Sequence, residues 1–277
     1  MKKCVILVLI LFAVGNAFGQ TNTVLFPSNL NVQPFTANFL EPKLGFFFQM
    51  NNNELRLDIG NSSDIVHFRT NNGMVISAGA DLFTYTLLRG EKDFHFPVDA
   101  IDYLFGLNAA VKKLSDNGSE YGLRFRLSHI SAHFVDGHYD GTHQQWRDGR
   151  TPRVYSREFL EFIPFYYTSG LRVYAGYTYL FHVDPADLGK NVYQAGFDYY
   201  LKDVISPSVT PFAAYDLRLA KVGQYKGNNS LMAGIKFGNA PGRGFSVFYK
   251  YYSGKSIHGE YHDYDEEYSA LGFNLDL

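Results

Sequence analysis

Beyond residue 20 no stretch holds the roughly 18 consecutive apolar residues that a membrane-crossing helix needs, yet apolar and polar residues alternate through most of the chain. A period of two belongs to strands with one apolar and one more polar face. Within 170–183, Val173, Ala175, Tyr177, Tyr179 and Phe181 share one face. Arg172, Tyr174, Gly176, Thr178 and His182 share the other, with Leu180 as the apolar exception. Leu231, Ala233, Ile235 and Phe237 alternate in the same way, as do Phe245, Val247, Tyr249 and Tyr251. The 21 Tyr and 25 Phe, beside a single Trp, suit strands and membrane-interface positions better than a helical domain.

The connectors sort by length. Short ones at 71–73, 115–119, 168–170, 204–208 and 239–242 are rich in Gly, Asn, Ser or Pro. Longer polar ones at 89–97, 134–153, 184–190, 221–228 and 253–265 lie between them. Tight turns at one end and longer loops at the other are the arrangement of outer-membrane barrels, whereas a soluble sandwich has no reason to segregate its loops. The expected fold is therefore all-β, an antiparallel transmembrane β-barrel of about twelve strands, with roughly ten to fourteen admitted by the segmentation and an even number expected. The segments run 43–50, 54–70, 74–88, 98–113, 119–133, 154–167, 171–183, 191–203, 209–221, 229–238, 243–252 and 266–277. The last, ending Gly272-Phe-Asn-Leu-Asp-Leu277, resembles the terminal-strand signal read by the outer-membrane barrel assembly machinery, with Leu where Phe is usual.

Lys2 and Lys3, the apolar run 4–14 and the small residues of Ala17-Phe-Gly19 predict a signal peptide over 1–19, cleaved before Gln20. Residues 20–42 then form a periplasmic extension or plug segment and 43–277 the barrel, placing the protein in an outer membrane after cleavage. Cys4 falls in the removed segment, so the mature chain has no disulfide and no cysteine-based metal site. Basic and acidic residues number 25 and 27, which gives no basic face for a nucleic-acid partner. No P-loop, dinucleotide fingerprint, zinc-protease helix or Gly-x-Ser-x-Gly elbow occurs, and no cofactor is expected.

Candidate chemistry concentrates in Tyr121–Asp136. Leu123, Phe125 and Leu127 make an outward apolar face, and Arg124, Arg126 and Ser128 face inward. The same parity carries His129, Ser131 and His133 outward, below the longest loop, where polar groups are costly unless they serve a purpose or sit at headgroup height. His129 and Ser131, two apart on a strand, point the same way with Cα atoms about 6–7 Å apart. An imidazole there can accept a hydroxyl proton, the requirement for a serine nucleophile, and a third group would fix its tautomer. Glu158 on the following strand is the preferred third group, with Asp136 and Asp140 as competitors and His133 as a second imidazole. Asp136 and Asp140 also suggest an oxygen site of the kind calcium takes. Arg147, Arg150, Arg153 and Arg157 are candidates for contact with lipid phosphates. Arg124, Arg126 and Arg172 are expected to line the interior, pairing with Glu161 and Asp198.

His129-Ile-Ser131 on an outward-facing strand resembles the His-x-Ser pairs of outer-membrane phospholipase A and lipid A 3-O-deacylase. Those families place their catalytic groups on the barrel's outer surface, facing the outer leaflet. Ala132-His133 stands where Asn or Gly usually follows the serine. A longer resemblance is to a family of bacterial envelope proteins classed as a domain of unknown function. It rests on Phe39-Leu-Glu-Pro42-Lys, Asp102-Tyr-Leu-Phe-Gly106, the His-x-Ser-x-His-x-x-Asp run from His129 to Asp136, and Arg153-Val-Tyr-Ser156-Arg-Glu158. It implies an envelope barrel and confers no activity.

Two function classes stay open at this level. One is a barrel serving envelope structure, binding or small-solute passage, with His129 and Ser131 as interface residues. The other is a serine-dependent acyl-ester hydrolase whose partner is outer-membrane lipid or lipopolysaccharide.

Overall fold

The computed structural model describes residues 22–186 and 188–277. The leader expected at 1–19 lies outside the described residues. The strands are β1 (Asn22–Leu25), β2 (Leu44–Gln49), β3 (Glu54–Arg69), β4 (Met74–Arg89), β5 (Val98–Leu114), β6 (Glu120–Phe134), β7 (Tyr139–Asp140) and β8 (Gln145–Trp146). They continue as β9 (Tyr155–Thr168), β10 (Leu171–Asp184), β11 (Asn191–Tyr200), β12 (Val209–Val222), β13 (Gln224–Gly238), β14 (Gly244–Lys255) and β15 (Asp265–Asp276). Strands β2–β6 and β9–β15 pair antiparallel in sequence order. Pairing of β15 with β2, from Ala270↔Gln49 to Leu275↔Leu44, closes them into a twelve-stranded barrel. Short β7 and β8 form a separate hairpin in the long loop after β6.

The first wall strand is interrupted. β1 pairs with one end of β3, from Asn22↔Arg69 to Leu25↔Val66, and β2 with the other, from Leu44↔Ile59 to Phe48↔Leu55. Between them residues 26–43 leave the wall and thread the interior, where Phe35, Asn38, Leu40 and Glu41 are buried.

Alternation sorts the side chains as the period of two requires. Leu107, Leu123, Leu127, Val173, Tyr179, Leu231 and Val247 lie exposed on the outside. Such a continuous apolar belt is far larger than the patches a soluble monomer tolerates. Arg56, Arg124, Arg126, Arg172, Arg218, Asp198, Asp216 and Glu161 are buried inside. Unpaired, these charges would be prohibitively costly, and the threaded segment supplies part of the compensation. Glu41 takes both terminal nitrogens of Arg124, at 2.7 and 2.5 Å, and Nη2 of Arg126 at 3.2 Å. Arg126 also meets Asp81 at 2.9 Å, and Arg218 meets Glu161 at 3.4 Å. Arg172 binds Asp198 through Nε at 2.7 Å and donates to the carbonyl oxygen of Gln33, also at 2.7 Å. Phe35 sits between the guanidiniums of Arg124 and Arg172, 4.6 and 4.4 Å from its ring centre.

Two connectors depart from expectation. Residues 221–228, expected as a polar loop, continue the β12–β13 ladder to Val222↔Gln224 around Gly223, whose φ of +70° suits glycine at a hairpin tip. The acidic, His-containing stretch 253–265 reads as a solvated loop, yet Ser256–His262 is buried. His258 Nδ1 lies 2.8 Å from Asp102, whose other oxygen accepts the Gly259 backbone N–H at 2.8 Å. The lumen is thus filled from one end by 26–43 and from the other by this inward-folded loop.

Candidate active site

Strand β6 carries the candidate residues to the loop-bearing end of the barrel. Arg124, Arg126, Ser128, Ile130 and Ala132 are buried inside, so His129, Ser131 and His133 project from the outer surface. The register with β9 is continuous over this stretch. It pairs His129 with Glu158 and Ser131 with Ser156, just before the ladder ends at Ala132↔Tyr155. On the other side Phe105 lies opposite His129, and Tyr103 opposite Ser131.

That register makes a contact. His129 Nδ1 lies 2.6 Å from Glu158 Oε1, and the two side chains are 27% and 28% exposed. Phe105 packs on the imidazole with ring centres 4.9 Å apart. A carboxylate acceptor at Nδ1 fixes the proton on that nitrogen and leaves Nε2 with the lone pair, the tautomer a general base requires. Ser131 shares this face, two residues along the strand. Among the described residues no hydrogen bond joins its hydroxyl to His129 or His133; such bonds tighten in many enzymes only when substrate is bound.

Glu158 has a second imidazole partner that sequence parity assigned to the interior. A bulge between Leu180 and His182 shifts the β9–β10 register, leaving Leu180 inside, 3% exposed, and bringing His182 opposite Glu158. His182 Nδ1 lies 2.5 Å from Glu158 Oε2. Sequence reasoning missed this residue because a bulge leaves no mark on the alternation apart from the apolar exception at Leu180.

The other candidates are dispersed. His133 is exposed, its ring centre 6.0 Å from that of Tyr103 and apart from the Glu158 pair. Asp136 opens a short 3-10 turn in the loop and is exposed. Asp140 accepts from His143 at Nδ1 (2.7 Å) and from the Thr142 backbone N–H (3.0 Å). The hydrogen bond from His143 lowers its carboxyl below the usual range. Among the described residues no group of three or more His, Cys, Asp or Glu could hold a metal ion.

The arginines split. Arg150 and Arg153 donate to the Glu260 carbonyl oxygen at 2.9 and 2.8 Å and to Asp263 at 3.1 and 2.8 Å, pinning the inward-folded loop. Arg147 lines a cleft of about 510 Å³ at the loop end with Arg89, Glu54 and Asp148. Arg157 pairs in register with buried Ile130 and lies 5.6 Å from the Tyr155 ring centre, on the inner side of the wall. That placement removes it from any outward lipid-phosphate contact. A second cleft of about 320 Å³ opens at the turn end beside residues 29–33, so neither cleft is at the outward His–Glu pair.

Among solved structures the chain is similar to outer membrane phospholipase A from Escherichia coli, at 12% identity and a TM-score of 0.51, covering 89% of this chain and 94% of that one. An active-site mutant of the same enzyme gives 14% identity and a TM-score of 0.53 with the same coverage. The β domain of the Bordetella autotransporter BrkA is similar at 13% identity, a TM-score of 0.42, and 84% and 97% coverage. The likeness to the phospholipase concerns the fold, which is that of an outer-membrane barrel. A search of the curated proteins found no match. The family model described as protein of unknown function (DUF1207) matches residues 102–276, a span that runs from Asp102 through the His129, Ser131 and Glu158 strands to the closing strand. With more than half of its length in that match, the chain belongs to this family.

Proposed function

We propose that the protein resides in an outer membrane and acts there as a serine-dependent acyl-ester hydrolase on outer-leaflet lipid. The observation that carries the reading is the 2.6 Å contact from Glu158 to Nδ1 of His129, with Ser131 two residues along the same outward face. Such a pair at the apolar outer surface costs desolvation and side-chain freedom, and it stabilises no core. Its chemical use is to present a basic Nε2 beside a hydroxyl. The phospholipase named above shares the fold, and lipid-ester hydrolysis is chemistry of the kind this surface would perform.

In this reading Ser131 Oγ attacks the ester carbonyl carbon while His129 Nε2 takes the hydroxyl proton. The tetrahedral intermediate collapses as His129 returns that proton to the leaving alkoxide, giving a lysolipid and an acyl-Ser131 ester. Water, deprotonated by His129, then attacks the acyl-enzyme, releasing fatty acid and restoring Ser131. Glu158 stays ionised and steadies the imidazolium at both steps. Substrate reaches the site from the side, within the lipid layer, so the filled lumen is no obstacle.

The test is acyl release by the refolded barrel from phospholipid and from lipopolysaccharide, each with and without calcium, beside Ser131→Ala. Release from either substrate that falls to background in the variant supports the proposal. No release from either, or release that Ser131→Ala leaves unchanged, refutes it and returns the chain to a structural or binding barrel.

A further inference from the structure

We infer that His182 is a positioning residue of this site, acting through Glu158; the inference rests on the hydrolase reading above. Glu158 sits on β9 between His129 on β6 and His182 on β10, and each imidazole meets a different carboxylate oxygen through Nδ1. A glutamate on an outer sheet surface has three rotatable side-chain bonds, and ordering it costs rotamer freedom. One donor at Oε1 leaves the carboxylate free to rotate about that contact. A second donor at Oε2, from the opposite neighbouring strand, fixes its plane and so the direction in which it holds His129.

The backbone is bent to make this contact. Regular alternation along β10 would turn His182 into the lumen, where Thr178 and Leu180 lie buried. The bulge reverses that parity within two residues and leaves Phe181 and His182 on the outside, 45% and 64% exposed in the residue and side chain respectively. His182 buries little of itself, so packing does not account for its placement. His182 joins the pair through Nδ1, and it bears on His129 through the shared carboxylate.

The geometry gives a test that separates positioning from bulk or direct substrate contact. An asparagine amide presents its N–H two bonds from Cβ, where the imidazole has Nδ1, whereas a glutamine amide presents it one bond further out, where the imidazole has Nε2. We therefore compare His182→Asn, His182→Gln and His182→Ala in the full-length refolded barrel, each checked for folding by its mobility before and after heating. For acyl release, His182→Ala is expected to lower kcat about ten-fold or more with KM unchanged, the cost of a misaligned base. His182→Asn recovers most of that loss, and His182→Gln does not. Nitrogen-15 NMR of the His129 ring reads the same effect without turnover. The Nδ1–H tautomer dominates in the parent and in His182→Asn, and mixes with the other tautomer in His182→Ala. An unchanged His129 tautomer in His182→Ala overturns the inference whether or not the barrel is active. So does rescue by Gln in place of Asn, or a loss confined to KM. Absence of Ser131-dependent release with the tautomer shift intact counts against the hydrolase and leaves the positioning contact supported.

Discussion

Replacing Glu41 by glutamine should loosen the barrel from its centre. Glu41 is fully buried and offers both oxygens to Arg124, at 2.7 and 2.5 Å, and one to Arg126 at 3.2 Å. The substitution keeps the shape, removes the charge and turns an N–H₂ group toward a guanidinium. Breaking a buried ion pair by removing one partner costs roughly 3–5 kcal/mol, because the remaining charge is left uncompensated. Here Arg126 keeps Asp81 at 2.9 Å, while Arg124 keeps only Glu161 at 3.4 Å. One guanidinium is left with a single long carboxylate contact while the other stays closely paired, so the loss belongs near the lower end, about 3 kcal/mol. With urea slopes of about 1–3 kcal/mol/M, the midpoint falls by roughly 1–3 M. The assay is urea unfolding of the refolded barrel in detergent, read by heat-modifiable gel mobility for the wall and by fluorescence of Trp146 for the long loop. A double-mutant cycle with Arg124→Met should return a coupling of about 1–3 kcal/mol. A midpoint within experimental error of the parent, or zero coupling, would refute the claim that the threaded segment is held by its charge.

Three further outcomes follow from the same structure. Glu158→Gln keeps a hydrogen-bonding group beside His129 and can favour the wrong tautomer, so acyl release should fall on the order of 10²–10⁴-fold with folding intact; unchanged kcat would remove Glu158 from the site. Gly259→Ala should unseat the inward-folded loop, because its new Cβ would lie 2.3 Å from Tyr155 Cδ1 and 2.6 Å from Ala132 Cβ; a loss of about 1–3 kcal/mol in urea, with faster hydrogen exchange over 256–262, is the expected reading, and parent-like exchange contradicts it. Burial pushes the Asp263 carboxyl up, but the hydrogen bond from Arg153 and the nearby Arg150 hold it at about 2. A folded value depressed below the unfolded one of about 3.9 means the contact stabilises fully above that pH and is lost as pH falls through about 2. Protection of 253–265 against exchange should drop over that window in the parent and show no such step in Asp263→Asn.

Much of the wall was legible because strand alternation is local. The segment 54–70 corresponds to Glu54–Arg69, 98–113 to Val98–Leu114 and 171–183 to Leu171–Asp184. The inward direction of Arg124, Arg126 and Arg172 follows from the same parity. What escaped was set by pairing between distant segments or by a local break in the period. The Glu41–Arg124 contact joins residues 83 apart, and the Asp102–His258 contact joins residues 156 apart. No pattern within either segment announces its partner. His182 lies on the face opposite to the one its parity predicts because one extra residue in β10 inverts every later side chain. Arg157 looks like a member of a basic cluster in sequence, yet its odd position on β9 sends it inward, with Phe159 and Glu161.

The hydrolase proposal makes Ser131 a nucleophile on the outer surface. A fluorophosphonate probe tests it without knowledge of the substrate: the serine oxygen displaces fluoride and keeps the phosphonyl group, and mass spectrometry locates the adduct. One adduct is expected, on Ser131, lost in Ser131→Ala and slowed in His129→Ala. An unlabelled parent barrel, or labelling that persists at another residue in Ser131→Ala, would contradict it.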